Sequence, residues 1–130
     1  IMDIFFTDPS DVPLPPAEVR IREFRADPWP DGRRVKIYLE VTSFQRRPSG
    51  EVIVRDAFGN MVANANIIET IDPKMEITMH LRGETPHGIY NATVQLFYIQ
   101  EIEDEVQEEG TLIRPERIDV DFAETGFEIS

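Results

Sequence analysis

The sequence predicts an all-β protein: an antiparallel sandwich of two sheets and about seven strands, with an extended proline-rich arm at its N-terminus. The first indication is a two-residue alternation of apolar and polar side chains, which recurs in several short segments. The second is that turn-forming residues separate these segments, and the third is that no segment has a convincing helical period. Because the 130 residues include no Cys, packing alone must stabilise the sandwich. This combination is typical of a single β-sandwich domain.

Residues 1–18 are predicted to form the extended arm. Four prolines punctuate it: Pro9, Pro13, Pro15 and Pro16. Because proline fixes φ and lacks a backbone N–H, this stretch suits an edge strand or polyproline II rather than a helix. We expect the arm to lie along the sandwich. The alternative interpretation is that its Leu-Pro-Pro stretch is a ligand for a proline-binding domain.

The sandwich domain is predicted to span residues 19–123, and the alternation gives its strands in order. The first five lie at about residues 19–25, 34–42, 51–56, 61–67 and 75–82. The side chains expected to face the core are Val35, Ile37, Leu39, Val41, Val52, Val54, Met61, Ala63, Ala65, Ile67, Met75, Ile77, Met79 and Leu81. An Asp31-Gly32 pair beside two prolines predicts the turn between the first two strands.

The clearest strand covers residues 88–98 and is expected to lie at the centre of a sheet. Its inward residues are predicted to be Tyr90, Ala92, Val94, Leu96 and Tyr98. The polar side chains of Asn91, Thr93 and Gln95 fall on the opposite, solvent-facing side. One apolar face and one polar face indicate a strand that packs against the core on one side only.

The C-terminal part is predicted to contain an acidic loop, a last strand and a tail. The loop covers residues 100–115, where like charges disfavour a helix. The last strand, at residues 117–123, is expected to bury Ile118, Val120 and Phe122. Residues 124–130 then form a tail, and its apolar residues, Phe127 and Ile129, are expected to need a partner surface.

The passage from residue 75 to residue 98 resembles the strand E to strand F passage of immunoglobulin-like and fibronectin-type-III-like domains, and bacterial macroglobulin-like modules share its spacing. The matching features are the alternating 75–81 strand, a Gly-containing turn, and the pattern Gly88-x-Tyr90-x-Ala92-x-Val94. The resemblance implies that the Tyr90 hydroxyl bonds to nearby backbone and locks the corner. The chain departs from antibody domains in lacking the inter-sheet Cys pair and in placing its Trp between the first two strands. The resemblance implies a scaffold and no particular function.

Charge is distributed unevenly along the chain. The formal net charge is −12, which disfavours nucleic acid and membrane surfaces as partners. Residues 20–55 nevertheless carry nine basic side chains against five acidic ones, whereas residues 101–130 carry eleven acidic side chains against two basic ones. These two regions either neutralise each other within one molecule or attract another copy.

This polarity leads to the main functional hypothesis, a non-catalytic interaction module with a protein partner, most simply a homodimer. We expect it to self-associate through edge strands and complementary charge. The residues predicted to take part are apolar residues near the ends of the chain and basic residues of a loop: Phe5, Phe6, Arg46, Arg47 and Phe127.

The alternative hypothesis is a ligand-binding sandwich that takes carbohydrate or calcium in loops at one end. Trp29 and Phe44 are the aromatic candidates. For calcium, Asp119 and Asp121 are expected to share the wet face of the last strand, close to the acidic loop. A weaker metal candidate combines His80, Glu84 and His87, although their spacing fits no common zinc motif.

No motif predicts catalysis or a bound cofactor. The sequence has no Gly-x-Ser-x-Gly elbow and no Gly-rich phosphate loop. His80 falls on the wet face of a predicted strand and His87 in a turn, which are ordinary places for surface histidines. We therefore expect no enzyme activity and no cofactor. If Met2 is the true start, the absence of a signal-peptide pattern after it predicts a cytoplasmic location.

Overall fold

The computed structural model describes residues 12–83, 87–100 and 116–130, and these form seven antiparallel strands in two sheets. The strands are β1 (Ile21–Pro28), β2 (Arg34–Val41), β3 (Ser49–Arg55), β4 (Met61–Ile67), β5 (Lys74–His80), β6 (Gly88–Ile99) and β7 (Arg117–Ile129). One sheet has the order β1-β2-β5 and the other the order β4-β3-β6-β7. The predicted two-sheet, all-β sandwich is thus confirmed. Within the described ranges, no helix has the length and apolarity that crossing a membrane requires.

The core lies between the two sheets and is built from the alternating residues of their inner strands. Its fully buried members are Val19, which precedes β1, and nine residues of β2, β3 and β6: Val35, Ile37, Leu39, Val41, Val52, Val54, Ala92, Val94 and Leu96. In β5 the predicted alternation also holds, since Met79 is buried and Met75 and Ile77 pack against the core from its margin. Strand β6 is central, as expected, because it pairs with β3 on one side and β7 on the other.

Three of the four edge strands contain one extra residue that interrupts their pairing. The extra residue is Arg22 in β1, Val62 in β4 and Val120 in β7. Such a bulge reverses the inward and outward sides of the strand beyond it. In β4 the bulge buries Val62 and leaves Met61 51% exposed, so the predicted inward position of Met61 is wrong.

Strand β7 differs most from the prediction. It runs to Ile129, so residues 124–129 are the second half of a strand and not a tail. Beyond the bulge, Ala123 lies opposite buried Val94, whereas Phe122 lies opposite Gln95 on the outer face. Phe122 is consequently 54% exposed, contrary to the prediction that it is buried. A strict two-residue period continued through the bulge gives the wrong face.

The end of β7 completes the core. The Phe127 ring stacks on the Tyr90 ring with centroids 5.3 Å apart, and both residues are buried. Buried Ile129 packs beside Gly32, where an added Cβ would lie 3.3 Å from the Ile129 Cγ2 atom. The φ of +70° at Gly32 also favours glycine in this turn. The prediction that Phe127 and Ile129 need a partner surface is therefore wrong, because both pack into the core of their own domain.

The described part of the predicted arm lies along the sandwich. The Leu14 N–H donates to the Ser43 carbonyl at 3.0 Å, and the Gln45 N–H donates to the Leu14 carbonyl at 2.9 Å. Pro16–Glu18 then form one turn of 3-10 helix, which the prediction had excluded. Proline is tolerated there because the first residues of a helical turn need no N–H donor. Phe5 and Phe6 lie outside the described residues, as does nearly all of the predicted acidic loop.

Candidate functional site

The two aromatic residues predicted to form a ligand loop lie at opposite ends of the sandwich. Trp29 lies in the turn before β2, and Phe44 follows the other end of that strand. Eight residues of strand span about 26 Å at roughly 3.3 Å per residue. One loop cluster cannot use both rings, so the prediction of a shared site is wrong. Phe44 is half-buried and packs against the core beside Leu14.

The Trp29 ring is covered by a cation that a neighbouring carboxylate binds. The Arg34 guanidinium lies 3.8 Å from the centroid of the Trp29 ring, and its Nε donates to the Asp31 carboxylate at 2.7 Å. Hydrogen bonds from the Arg33 backbone N–H, and then from Arg34, lower the pKa of Asp31. One face of the indole is thus already covered, which reduces the ring surface that a sugar could stack on.

Arg46 and Arg47, the two basic candidates of the loop after β2, have different environments. The buried Tyr98 hydroxyl donates to the Arg46 carbonyl at 2.9 Å, and the Arg46 guanidinium lies 5.2 Å from the Tyr98 ring centroid. Arg46 also donates to the Ile99 carbonyl. Burial raises the pKa of Tyr98, so its hydroxyl keeps the proton that it donates. Arg46 therefore anchors the loop to β6, whereas Arg47 is exposed.

Tyr90, the predicted corner residue, is buried at the start of β6 and stacks on Phe127. Burial, with a smaller contribution from the charge of Asp56, raises its pKa above the ordinary value for tyrosine. The neutral hydroxyl is therefore the stable form. The bond between this hydroxyl and nearby backbone, which the resemblance implies, stays a prediction.

The acidic and histidine candidates are dispersed. Asp119 lies opposite Phe97 on the outer face, whereas Asp121 lies opposite buried Leu96 on the inner side, because the β7 bulge falls between them. The Asp121 carboxylate accepts the Ile21 N–H at 2.8 Å, and Asp119 pairs with Arg117 at 2.9 Å. The predicted shared wet face is therefore wrong. Among the described residues, no three His, Asp or Glu side chains are grouped to hold a metal; Glu84 of the histidine candidate lies outside them.

The edge of β5 differs from the other sheet edges. Strands β1, β4 and β7 each have a bulge, whereas β5 pairs with β2 in unbroken register from Lys74 to His80. In the described part of the chain, no strand pairs with the other side of β5. Bulges and twists at sheet edges normally prevent the addition of a further strand. By this criterion, β5 is the edge that remains able to accept one.

A cleft of about 350 Å³ lies beside this edge, where β5 of one sheet faces β4 of the other. It is lined by Ala63, Asn64, Ala65, Ile77, Thr78, Met79, His80 and Arg82. The small side chains of Ala63 and Ala65 leave the space open. Arg82 closes one end, because its backbone N–H donates to the Val62 carbonyl at 2.9 Å. The floor of the cleft is therefore apolar and its margin polar.

We refer to β5 together with this cleft as the β5 edge. Its arrangement combines strand backbone that no described strand pairs with and a cleft with an apolar floor, which are the two elements of strand addition. The sequence did not identify this feature, because alternation finds strands without giving their order in a sheet. The one available signal was the absence of Gly, Pro or an irregular period between residues 74 and 81.

A comparison with family models and a comparison with curated proteins each find no match. Among solved structures, the chain is similar to part of a β-glucuronidase from Ruminococcus gnavus in complex with C6-substituted uronic isofagomine, at 14% identity and a TM-score of 0.48. It is also similar to part of the Lactobacillus rhamnosus β-glucuronidase, at 17% identity and a TM-score of 0.49. Each match covers 87% of this chain and 16% of the other chain. Because these likenesses are distant and cover only a small part of the other chains, they say nothing about the activity or substrate of this protein.

Proposed function

We propose that this domain is a non-catalytic interaction module that takes up an extended segment of a protein partner along the β5 edge. The observation that carries the proposal is the unbroken register of β5, in contrast to the bulged β1, β4 and β7. In this arrangement the partner becomes the fourth strand of the β1-β2-β5 sheet. Its backbone supplies hydrogen bonds to β5, and every second side chain enters the cleft.

The geometry of the cleft supports this mode of binding. Side chains from an added strand would meet Ile77 and Met79 on one side and Ala63 and Ala65 on the other. The cleft volume of about 350 Å³ is sufficient for several aliphatic side chains. Burying each one contributes about 1.5–3 kcal/mol before the entropic cost of association is subtracted. Backbone pairing therefore sets the position of the partner, and the cleft selects its apolar residues.

This proposal keeps the interaction hypothesis from the sequence and moves its location. Phe127 is excluded as a contact residue because it is buried, and Arg46 is engaged with Tyr98 and Ile99. An immunoglobulin-like scaffold and a cytoplasmic location belong to the same proposal, and a second copy of this chain is the alternative partner. The ligand-binding alternative is less favoured, since Trp29 and Phe44 lie at different ends of the sandwich.

Hydrogen exchange of the β5 backbone tests the proposal. Synthetic heptapeptides that alternate Val with Glu, Ser or Lys are added to the whole chain, and amide protection is measured by NMR. We expect at least one peptide to protect the β5 amides that face away from β2, about half of those in the strand. If no peptide protects the β5 amides, the proposed function is wrong, even if a peptide protects another edge strand.

A pair of variants shows where binding occurs. Ala65→Lys places a long charged side chain in the cleft and is expected to abolish the protection. Asn66→Lys adds the same charge to the next residue of β4, which is exposed on the outer face opposite Glu51, and is expected to leave binding unchanged. Equal binding by both variants would place the peptide elsewhere and contradict the proposal.

A further inference from the structure

We infer that the segment taken up at the β5 edge is acidic, with carboxylates alternating with aliphatic residues. This inference rests on the proposed function and adds the chemistry of the partner. It is carried by the outward side chains from Lys74 to Arg82, where the one carboxylate, Glu76, already pairs with Lys36, so that Lys74 and Arg82 give this row a positive charge in a chain whose formal net charge is −12. A basic edge on an acidic protein favours an acidic partner segment and disfavours a basic one.

The basic side chains flank the two ends of the edge. Lys74 begins β5 and Arg82 follows its end, and both are exposed. Neither forms an ion pair with any carboxylate in the described ranges, although Arg82 also reaches the Asn64 side chain at 3.4 Å. Exposed His80 lies between them at the margin of the cleft. Each of these three side chains can therefore receive a carboxylate from an added strand.

The carboxylates near the edge are already engaged. Glu76 pairs with Lys36 of β2 at 3.3 Å, and the Asp72 carboxylate accepts the backbone N–H of Lys74 at 3.1 Å. On the β4 side, the cleft is lined by alanines and the neutral amide of Asn64. An incoming acidic strand would thus meet two cations that pair with no carboxylate of the described residues, and one carboxylate, Glu76, that already pairs with a lysine.

A second copy of β5 is a poorer occupant. Two β5 strands paired antiparallel about Ile77 would set Lys74 opposite His80 of the other copy at both ends, and Met75 opposite Met79. This pairing sets a cation opposite a basic side chain at both ends and offers neither a carboxylate, and directly opposed residues of like charge destabilise a strand pair. A strand with carboxylates at the outward positions avoids this repulsion and places its aliphatic residues in the cleft.

The experiment compares three heptapeptides of the same length: Glu alternating with Val, Ser with Val, and Lys with Val. Dissociation constants are measured with the whole chain at low and high salt. We expect the Glu peptide to bind at least about fivefold more tightly than the Ser peptide, the Lys peptide to bind most weakly, and the differences to shrink at high salt. The salt series uses the unmodified protein, so it does not depend on whether any variant folds.

Two variants and a control assign the effect to the edge. Lys74→Gln and Arg82→Gln are each expected to weaken the Glu peptide by about two- to fivefold, the range for an exposed ion pair. Lys74→Gln, which does not line the cleft, is also expected to leave the Ser peptide unchanged. Arg55→Gln removes a cation from β3, in the other sheet, and is expected to change neither. A thermal melt checks that each variant is folded.

The outcomes separate this inference from the proposed function. Equal binding of the Glu and Ser peptides, or tighter binding of the Lys peptide, would overturn the acidic partner while strand addition stands. If no peptide binds, strand addition itself is wrong. If sedimentation shows a dimer whose β5 amides are protected without peptide, a second copy is the occupant and the acidic partner is overturned.

Discussion

The side of the sandwich where β1 meets β7 is closed between its ends, where clefts of about 320 and 210 Å³ lie. The side where β4 meets β5 instead leaves a cleft of about 350 Å³ beside the strands themselves. On the closed side, Phe127 stacks on Tyr90 and the Asp121 carboxylate bonds to the backbone of β1. On the open side, the apolar residues that β4 contributes to the cleft are only alanines, and Arg82 makes the link between the sheets at one end. Large buried side chains and hydrogen bonds between the edge strands therefore close the β1–β7 side. The β4–β5 side has few of either.

The bulges follow the same division. Both strands of the closed side carry one, at Arg22 and Val120, so neither edge is regular. On the open side, β4 has a bulge at Val62 and β5 has none. Because a bulge discourages further pairing, the closed side is protected twice, by packing and by irregular backbone. The open side combines space with one regular edge, which is why we assign the interaction to it.

The largest change in stability is expected for Phe127→Ala, on the closed side of the sandwich. We expect a loss of about 3–5 kcal/mol in the free energy of unfolding, because the change removes a buried aromatic ring and leaves a cavity beside Tyr90. Denaturant titration measures it. The control, Phe58→Ala, deletes the same ring where it is 89% exposed and should change stability by less than about 0.5 kcal/mol. Similar values for both variants would mean that Phe127 is not a core residue.

A medium effect is expected for Asp121→Ala, which removes the carboxylate that joins β7 to β1. Its Oδ2 atom accepts the Ile21 N–H and its Oδ1 atom accepts the Phe122 N–H. We expect a loss of about 1–2 kcal/mol in the free energy of unfolding, because charge-assisted hydrogen bonds are lost at a partly buried position. Asp119→Ala is the matched control, since its carboxylate pairs with Arg117 on the outer face. An equal loss in the control would contradict the role of Asp121 as a link between sheets.

The smallest effect is expected on the open side. Ala65→Val adds two methyl groups to the cleft and raises strand propensity, so we expect a gain of about 0.5 kcal/mol in the free energy of unfolding. The same substitution at fully buried Ala92 should instead cost about 1–3 kcal/mol, because the packed interior has no room for added atoms. If Ala65→Val is as destabilising as Ala92→Val, the cleft is not open to added side chains.

Sequence patterns predicted the inner strands well and the edges poorly. Strands β2 and β6 are regular, so a two-residue period read from Val35 or Tyr90 gave the correct face along their whole length. At Met61 and Phe122 the same reading failed, because each lies next to a bulge that alternation cannot reveal. Phe127 was misplaced because the predicted strand ended at residue 123, whereas β7 continues to Ile129.

The candidate site could be predicted even less. Its basis is the position of β5 at the end of a sheet and the small size of Ala63 and Ala65 across from it, which bring together residues from separate parts of the chain. Strand order depends on which hydrophobic faces meet, and no local pattern records that. The resemblance correctly suggested a sandwich from the 75–98 passage, yet a scaffold of this type leaves the choice of edge open.

The regular edge of β5 also bears on how the protein behaves when no partner is present. A seven-residue edge strand without Pro or bulge is long enough to pair with the same strand of another molecule and so to start aggregation. We expect Lys74 to counteract this association, because charged side chains on edge strands disfavour pairing with further copies. We thus expect Lys74 both to attract the acidic partner and to limit aggregation of the protein without a partner. The Lys74→Gln variant should therefore be followed by light scattering as well as by affinity.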